Sequence, residues 1–592
     1  MNIVGLDFGT TYSVIAEHMN DSSNHEMRIA RLGEQKHSDY YDSLVVVDND
    51  TGLSYYGSYA RNHKVNSGSK TYLGFKLMLS EKDPQILASE GYTESITPVT
   101  ITTEFVRDII GKYLRNKQGT IDSLVVGIPE IWTENFDDST HNNQPLSRQI
   151  LHDIIDGIDE VNSFDFITEP EAACAYYVFN YQKSMGIKYT GYVLIVDYGG
   201  GTLDISLCSV CWEGEQAKIK VEKHTGAGAN ERGKIGDAGL AFMEEVARLA
   251  LLEGGVSEEI INQYKDAFTA CVYEVENLFM TFSGLGIKDK FYSDFRDKSQ
   301  SISLKNLRND STRFIAEVQF LPLDEQKKVV PLEKNSFVVT NAMVAKAFLK
   351  TIRPILMDQL NSFISYMNEN NISWGLNAEG FKIQLIGGFS NFLLVEQEIS
   401  RILIPGTALD KSDDRRYMGQ LPRNERDRAV AYGAALKAAG RVSIVPSTKY
   451  SIGISLYLTH SEQLIAWALQ AGEELEFDKV YLFKWNGCVV NLLGNGIAQL
   501  EFMRSDGERF TRPLAQLYRN ALRDIGKAQY ILGLSMNRYG KLSFHWWEIL
   551  DEGKYERALP NVEDKIAKGE KLACLGEEHI IEMDTIHNIA GI

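Results

Sequence analysis

The apolar positions of this chain change period along its length, and the changes divide it. A short apolar run from Val4 to Leu6 meets Asp7, then a turn of Gly9, Thr10 and Thr11, then a second run from Tyr12 to Val14. The same form returns at 194–196, Asp197, Gly199, Gly200, Gly201, Thr202 and 203–205. Each stretch reads as a β-hairpin with an Asp at the end of its first strand and a Gly/Thr turn. The echo implies a duplicated half-domain. Between the hairpins, 122–129 (DSLVVGIP) predicts a buried strand closed by a proline, a helical pattern starts near Ser147, and 166–168 leads into Glu169-Pro170-Glu171. Further on, Asn341 is the expected N-cap of one long amphipathic helix. Its stripe of Val344, Phe348, Ile352, Ile355, Leu360, Phe363 and Met367 predicts core packing. A strand at 383–386 runs into Gly387-Gly388, and a helix over 427–435 closes this part.

After Arg441 the texture shifts to short alternating stretches (452–458, 480–483, 541–547) separated by Gly, Asn and Asp turns. These predict a small antiparallel β domain. The boundary falls near 441–448 (RVSIVPST), where a proline interrupts the pattern. The expected division is an α/β domain over 1–441, a β-sandwich-like domain over 449–560 and a short helical tail over 561–592. The Trp546-Trp547 pair reads as buried aromatic packing.

Composition agrees with several globular domains: 592 residues exceed a single core, and 44% apolar with 24% charged excludes a disordered or fibrous chain. Sixty-one Lys and Arg against 80 Asp and Glu leave a net charge of −19. Such a chain repels phosphate backbones, so no nucleic-acid partner is expected, although backbone amides can still cradle a small phosphate ligand. Six cysteines make no disulfide framework, and the lone C-x-x-C of Cys208 and Cys211 lies in a strand and reads as ordinary thiols. The start carries no basic segment, so it is not a signal peptide, and no uncharged apolar run reaches ~18 residues. A soluble cytoplasmic protein without a membrane partner is the expectation.

The hairpin turns carry the candidate chemistry. Glycine lets backbone N–H groups approach an anion closely, and threonine hydroxyls add donors. Two such turns facing each other suit a clamp on phosphates. Asp7 and Asp197 are placed to hold Mg2+ through its waters, since that ion keeps most of its hydration shell.

The segments VGLDFGTTYSV (4–14), ITEPEAACAYY (167–177), VDYGGGTLDISL (196–207), LIGGFS (385–390) and DRAVAYGAALKAA (427–439) stand in a set order. In that order they resemble the seventy-kilodalton heat-shock chaperone family, within the actin/sugar-kinase ATPase superfamily. The resemblance covers roughly residues 1–440. It implies a two-lobed actin-like ATPase domain with duplicated phosphate hairpins, binding ATP or ADP with Mg2+. Carried over by position, Gly9, Thr10, Thr11 and Tyr12 would form the first phosphate loop, and Gly199, Gly200, Gly201 and Thr202 the second. Asp7 and Asp197 would organise the Mg2+, and Glu169 would hold a water. Lys76, in LGFKLML, would face the terminal phosphate, and Pro129 matches a proline that relays nucleotide state. Gly387, Gly388, Phe389, Asn391 and Asp427 fall in the adenosine loop and the second connecting helix.

The chain also departs from the family pattern. Where the family clamps adenine with a Glu, a Lys and an Arg, this chain offers Tyr273, Glu276 and Asn277. Aromatic stacking by Tyr273 can substitute. Phe389 replaces a serine and Asn391 an arginine. The family's acidic apolar linker is replaced by VSIVP (442–446), and the residues after Pro560 are too few for a substrate lid. The expected function is a slowly ATP-hydrolysing, lidless chaperone-like protein whose β domain binds a protein client. A J-domain or nucleotide-exchange co-chaperone is the implied partner. The alternative is a nucleotide-sensing scaffold or pseudo-ATPase of the same fold.

Overall fold

A computed structural model describes residues 1–19, 26–32, 39–48, 51–62, 69–115, 117, 119–129, 132, 147–199, 203–227, 238–280, 308, 314–323, 328–375, 378, 380–403, 421, 423–448, 450–457, 463–493, 497–504, 509–513, 529–537 and 541–585. The chain is mixed α/β and divides into two compact units. The first is built from Met1–Thr133 and Leu146–Ile444, and the second contains Val445–Ile592.

In the first unit, β1 (Ile3–Phe8) and β2 (Tyr12–Met19) form the predicted hairpin, and β3 (Glu26–Ile29) and β4 (Tyr41–Asp42) both pair with β2. Strands β5 (Leu44–Asp48), β6 (Leu53–Tyr56) and β7 (Ser69–Leu73) make a separate small sheet. Strands β8 (Ser123–Ile128) and β9 (Phe164–Thr168) extend the first sheet, whose order is β3-β2-β1-β8-β9. The second hairpin is β10 (Gly191–Tyr198) with β11 (Leu203–Glu213), followed by β12 (Gln216–Ala227). A two-stranded sheet of β13 (Phe314–Gln319) and β14 (Ser336–Thr340) precedes β15 (Phe381–Ile386) and β16 (Val442–Ile444). The second sheet runs β15-β10-β11-β12-β16. Its arrangement repeats that of the first. In both, the hairpin's first strand has a parallel neighbour on its far side, β8 or β15, and its second strand pairs antiparallel with the next strand.

Both faces of the central strands are covered, which is why they read as unbroken apolar runs. Leu194, Val196 and Tyr198 pack against helices Gly239–Glu253, Asn341–Lys350 and Ile352–Glu369. Val193 and Ile195 face the opposite way, toward helices Glu169–Met185 and Ala429–Ala438. Those two helices cross closely: a Cβ placed on Gly433 would lie 1.8 Å from the carbonyl oxygen of Ala172. The expected long helix is two. Thr340, not Asn341, caps the first, and the ladder breaks at Thr351 before Ile352–Glu369 begins. The stripe is nonetheless buried, with Ile355 only partly so.

In the second unit, a six-stranded sheet (Cys488–Val489, Lys484–Trp485, Gln463–Leu469, Tyr450–Tyr457, Ile497–Arg504, Arg509–Pro513) and a five-stranded one share a core. Ile452, Ile454 and Phe502 there meet Leu532, Leu534 and Phe544. Trp546 joins that core, while Trp547 is buried on the outer face beside Tyr555 and Val562. The tail is not purely helical: helix Val562–Ala567 is followed by His579–Thr585, which pairs as a strand with Lys541–Glu548. Pairing at a sheet edge decides the conformation there. On the outer face, Ser535 Oγ lies 2.8 Å from His545 Nε2, and His545 Nδ1 lies 2.8 Å from Glu578 Oε1. Ser535 sits within a paired strand, where the backbone donors serve the ladder, so the relay staples strands together. Among the described residues no helix is long and apolar enough to cross a membrane.

Candidate functional site

Residues 41–43 cradle the first turn. Strand β4 pairs with β2 at Tyr12 and Ser13, the Ser43 N–H donates to Thr11 O at 2.8 Å, and Ser43 Oγ donates to Gly9 O at 2.7 Å. A Cβ on Gly9 would lie 2.0 Å from the Tyr12 carbonyl oxygen, so only glycine permits this turn. Thr10, Thr11 and Tyr12 stay half-exposed at its rim.

The second hairpin places Asp197 at the end of β10, in register opposite Asp204 on β11. Gly387, at φ +79°, closes over it: a Cβ there would stand 2.4 Å from Asp197 Oδ1. Glu169 opens its helix behind a capping box of Thr168 and Glu171, which fixes where its carboxylate starts. Lys76 is buried at 3% exposure. Its Nζ lies 2.7 Å from Glu169 Oε1, with the rings of Phe8 and Trp132 centred 5.6 and 5.5 Å away. A solvated helix lysine is thereby ruled out. Pro129, also buried, accepts a 3.0 Å hydrogen bond at its carbonyl from the Trp132 N–H.

The electrostatics join these groups. Asp7 keeps a solvent-facing edge, yet the protein mass around it pushes its carboxyl up to about 8, with Glu169 and Asp427 adding to the rise and Lys76 opposing it. Burial likewise raises Asp197 well above the usual carboxylate range, helped by Glu169, Asp204 and Asp7. Asp197 therefore feels Asp7, and both hairpin carboxylates share Lys76 and Glu169. Folding raises these values above the ordinary 3.8, so the folded chain holds protons that the unfolded chain has released. That stabilisation, complete below about pH 4, is lost as pH climbs toward about 8. In a chelating buffer the thermal midpoint is expected to fall between about pH 6 and about pH 8. Asp7→Asn should flatten that fall; an equal slope in the variant, measured by scanning calorimetry, would place the titration elsewhere.

Other expected residues fall differently. Phe389 does not line the carboxylate cluster: its ring packs against Tyr198, Phe242 and Phe392 at 5.3, 5.4 and 5.3 Å. Gly388 lies beside it in a short 3-10 turn. Gly199 accepts from the Gly239 N–H at 3.3 Å. Asp427 accepts from the Tyr40 hydroxyl at 2.6 Å, and burial pushes its carboxyl up to about 6. Gly200, Gly201 and Thr202, and the side chains of Tyr273, Glu276, Asn277 and Asn391, lie outside the described residues. Asp204, Trp132, Ser43 and Tyr40 were not foreseen. Asp204 had a signal, being the carboxylate next after the second Gly/Thr turn, and Ser43 opens the SLVVVD stretch. Tyr40 had none. Among the described residues no group of three or more His, Cys, Asp or Glu side chains gathers tightly enough to chelate a metal directly.

No family model matches the chain. A heat shock protein homolog of Encephalitozoon cuniculi (strain GB-M1) is 28% identical over 167 residues. The likeness is to a heat-shock protein. It covers 27% of this chain and 21% of the relative, so the chain spans about a fifth of the length of the protein it matches.

Proposed function

We propose that the first unit is a two-lobed, actin-like ATPase domain of the heat-shock kind, whose nucleotide state governs client binding by the β unit. The observation that carries this reading is the meeting of Asp7 and Asp197, from two like hairpins, in one electrostatic cluster with Lys76 and Glu169. The Gly9–Tyr12 turn would bind phosphate oxygens through backbone N–H groups and the Thr10 and Thr11 hydroxyls. The donor set fits Mg2+: crowded carboxylates whose charge is costly until a cation arrives, too spread to chelate it directly, suit an ion held through its waters. That ion would supply charge neutralisation on the phosphates. Lys76, bound in its ion pair, would turn toward the terminal phosphate, and Glu169 would orient the attacking water. Client capture would fall to the β unit, where Phe477, Trp485, Leu550 and Ile580 are exposed.

Asp197→Asn should lower steady-state ATP turnover on the order of 100-fold or more while ATP with Mg2+ still raises the thermal midpoint. Undiminished turnover in the variant would sink the site assignment. A second reading, a nucleotide sensor with little turnover, is favoured by the burial of Phe389 in the core, where its ring packs on Phe242 and Phe392. Stabilisation of the wild-type chain by ATP, ADP and GTP alike, without phosphate release, would select it.

A further inference from the structure

Segment Arg426–Arg428 stands between the Gly387–Ser390 loop and the chain at Asp39 and Tyr40, and touches both. Its Arg426 carbonyl accepts from the Gly387 N–H at 3.3 Å, and Arg426 Nη1 donates to Ser390 O at 3.4 Å, so it holds the loop that closes over Asp197. On its other side Tyr40 is 7% exposed, and its hydroxyl donates to Asp427 Oδ2 at 2.6 Å and accepts from Arg428 Nε at 3.1 Å. The Arg428 guanidinium lies 5.3 Å over the Tyr40 ring and pairs with Asp39 at 2.9 Å, and the Tyr12 ring meets Tyr40 edge-on at 5.9 Å. Tyr40 directly precedes the residues that cradle the first turn. Strand β4 holds Tyr12 and Ser13, and Ser43 holds Gly9 and Thr11. Asp427 Oδ1 has no hydrogen-bond partner among the described residues, and the Asp427 charge is felt at Asp7.

We propose that Tyr40 is a positioning residue for nucleotide: its hydroxyl latches the cradle of the first turn to Asp427 and Arg428, and so fixes that turn relative to the Gly387 loop that closes over Asp197. This rests on the nucleotide-binding reading given above. The latch acts on nucleotide through the first turn, whose backbone amides would meet the polyphosphate, and through the Gly387 loop, which closes over Asp197. The two bonds of the Tyr40 hydroxyl, beside the Arg428–Asp39 ion pair, tie residues 39–40 to residues 427–428. Loss of the hydroxyl removes both of its bonds and loosens the cradle while leaving the β1–β2 hairpin and its ladder intact. Tyr113, in helix Pro98–Leu114, supplies the control. It too is buried and donates to a carboxylate, that of Glu17 at 3.2 Å, and it is no part of the cradle.

The test is a double-mutant cycle read by calorimetric titration of the full chain with MgATP. Tyr40→Phe and Asp427→Asn should each weaken binding on the order of ten-fold, and the double variant no more than either alone. Tyr113→Phe should leave MgATP affinity unchanged while lowering the thermal midpoint. If the wild-type chain binds MgATP and Tyr40→Phe binds it equally well, or if the two losses add, the latch is wrong and the nucleotide reading stands. If the wild-type chain binds no MgATP, both fall. A loss of affinity in Tyr113→Phe equal to that in Tyr40→Phe would reduce the effect to general loosening of the lobe and overturn the assignment.

Discussion

Lys76→Met is expected to abolish ATP turnover and to destabilise the first unit together. Lys76 is 3% exposed and Glu169 8%, and their ion pair spans 2.7 Å. Removing one partner leaves a buried carboxylate beside Asp7 and Asp197, both already held above their ordinary range. Breaking such a pair costs about 3–5 kcal/mol. The methionine itself packs well between Phe8 and Trp132, because an unbranched thioether suits an aromatic slot. The loss is therefore electrostatic, and it is reversible by design: Lys76→Met with Glu169→Gln removes both charges and should recover most of the stability, but none of the turnover. Urea unfolding and phosphate release on the same three proteins separate the roles. Wild-type stability in Lys76→Met would mean that the pair contributes nothing net, and retained turnover would remove Lys76 from the chemistry.

The hairpins were legible because their signal is local. A β-branched run, an Asp and a Gly/Thr turn specify a strand, its end and its reversal within a dozen or so residues. The repeated strand order around them follows from the same signal. The stripe from Val344 to Met367 was legible as a buried face, but not the break at Thr351, since the buried positions resume in phase on its far side. Thr340 and Asn341 are both good caps, and only the chain's path chose between them. What the sequence could not carry was register and distance. Asp204 faces Asp197 because β10 and β11 pair without slippage, a fact of the ladder rather than of either residue. Tyr40 and Asp427 meet across 387 residues through elements that no local pattern connects. Phe389, placed by motif beside the base, folds inward because Gly239 leaves room: a Cβ there would touch the Phe389 ring at 3.0 Å. The strand His579–Thr585 exists only because Lys541–Glu548 offers it an edge.

Gly433→Ala sets two physical effects against each other, and their magnitudes decide the sign. Within a helix, alanine is favoured over glycine by about 1 kcal/mol, so propensity alone predicts a more stable protein. The crossing with helix Glu169–Met185 predicts the reverse, because the new methyl would sit 1.8 Å from the Ala172 carbonyl oxygen and 2.6 Å from its Cα. Both are backbone atoms that no rotamer change can move, so the helices must part. Overpacking of that kind costs roughly 1–3 kcal/mol and more where the backbone is rigid. A net destabilisation of about 2 kcal/mol is expected by urea unfolding. Gly111→Ala is the matched control. It lies in helix Pro98–Leu114, where an added Cβ meets nothing within 4 Å, and it should stabilise by about 0.5–1 kcal/mol. The displacement at Gly433 also reaches the site, because Ala172 lies one turn from Glu169 in the same helix and Glu169 is paired to Lys76. Gly433→Ala should therefore weaken MgATP binding as well as stability, and Gly111→Ala neither. Equal stabilisation by both substitutions would show that the two helices are not in contact at Gly433, and the coupling drawn from the helix crossing to the Lys76–Glu169 pair would fail with it.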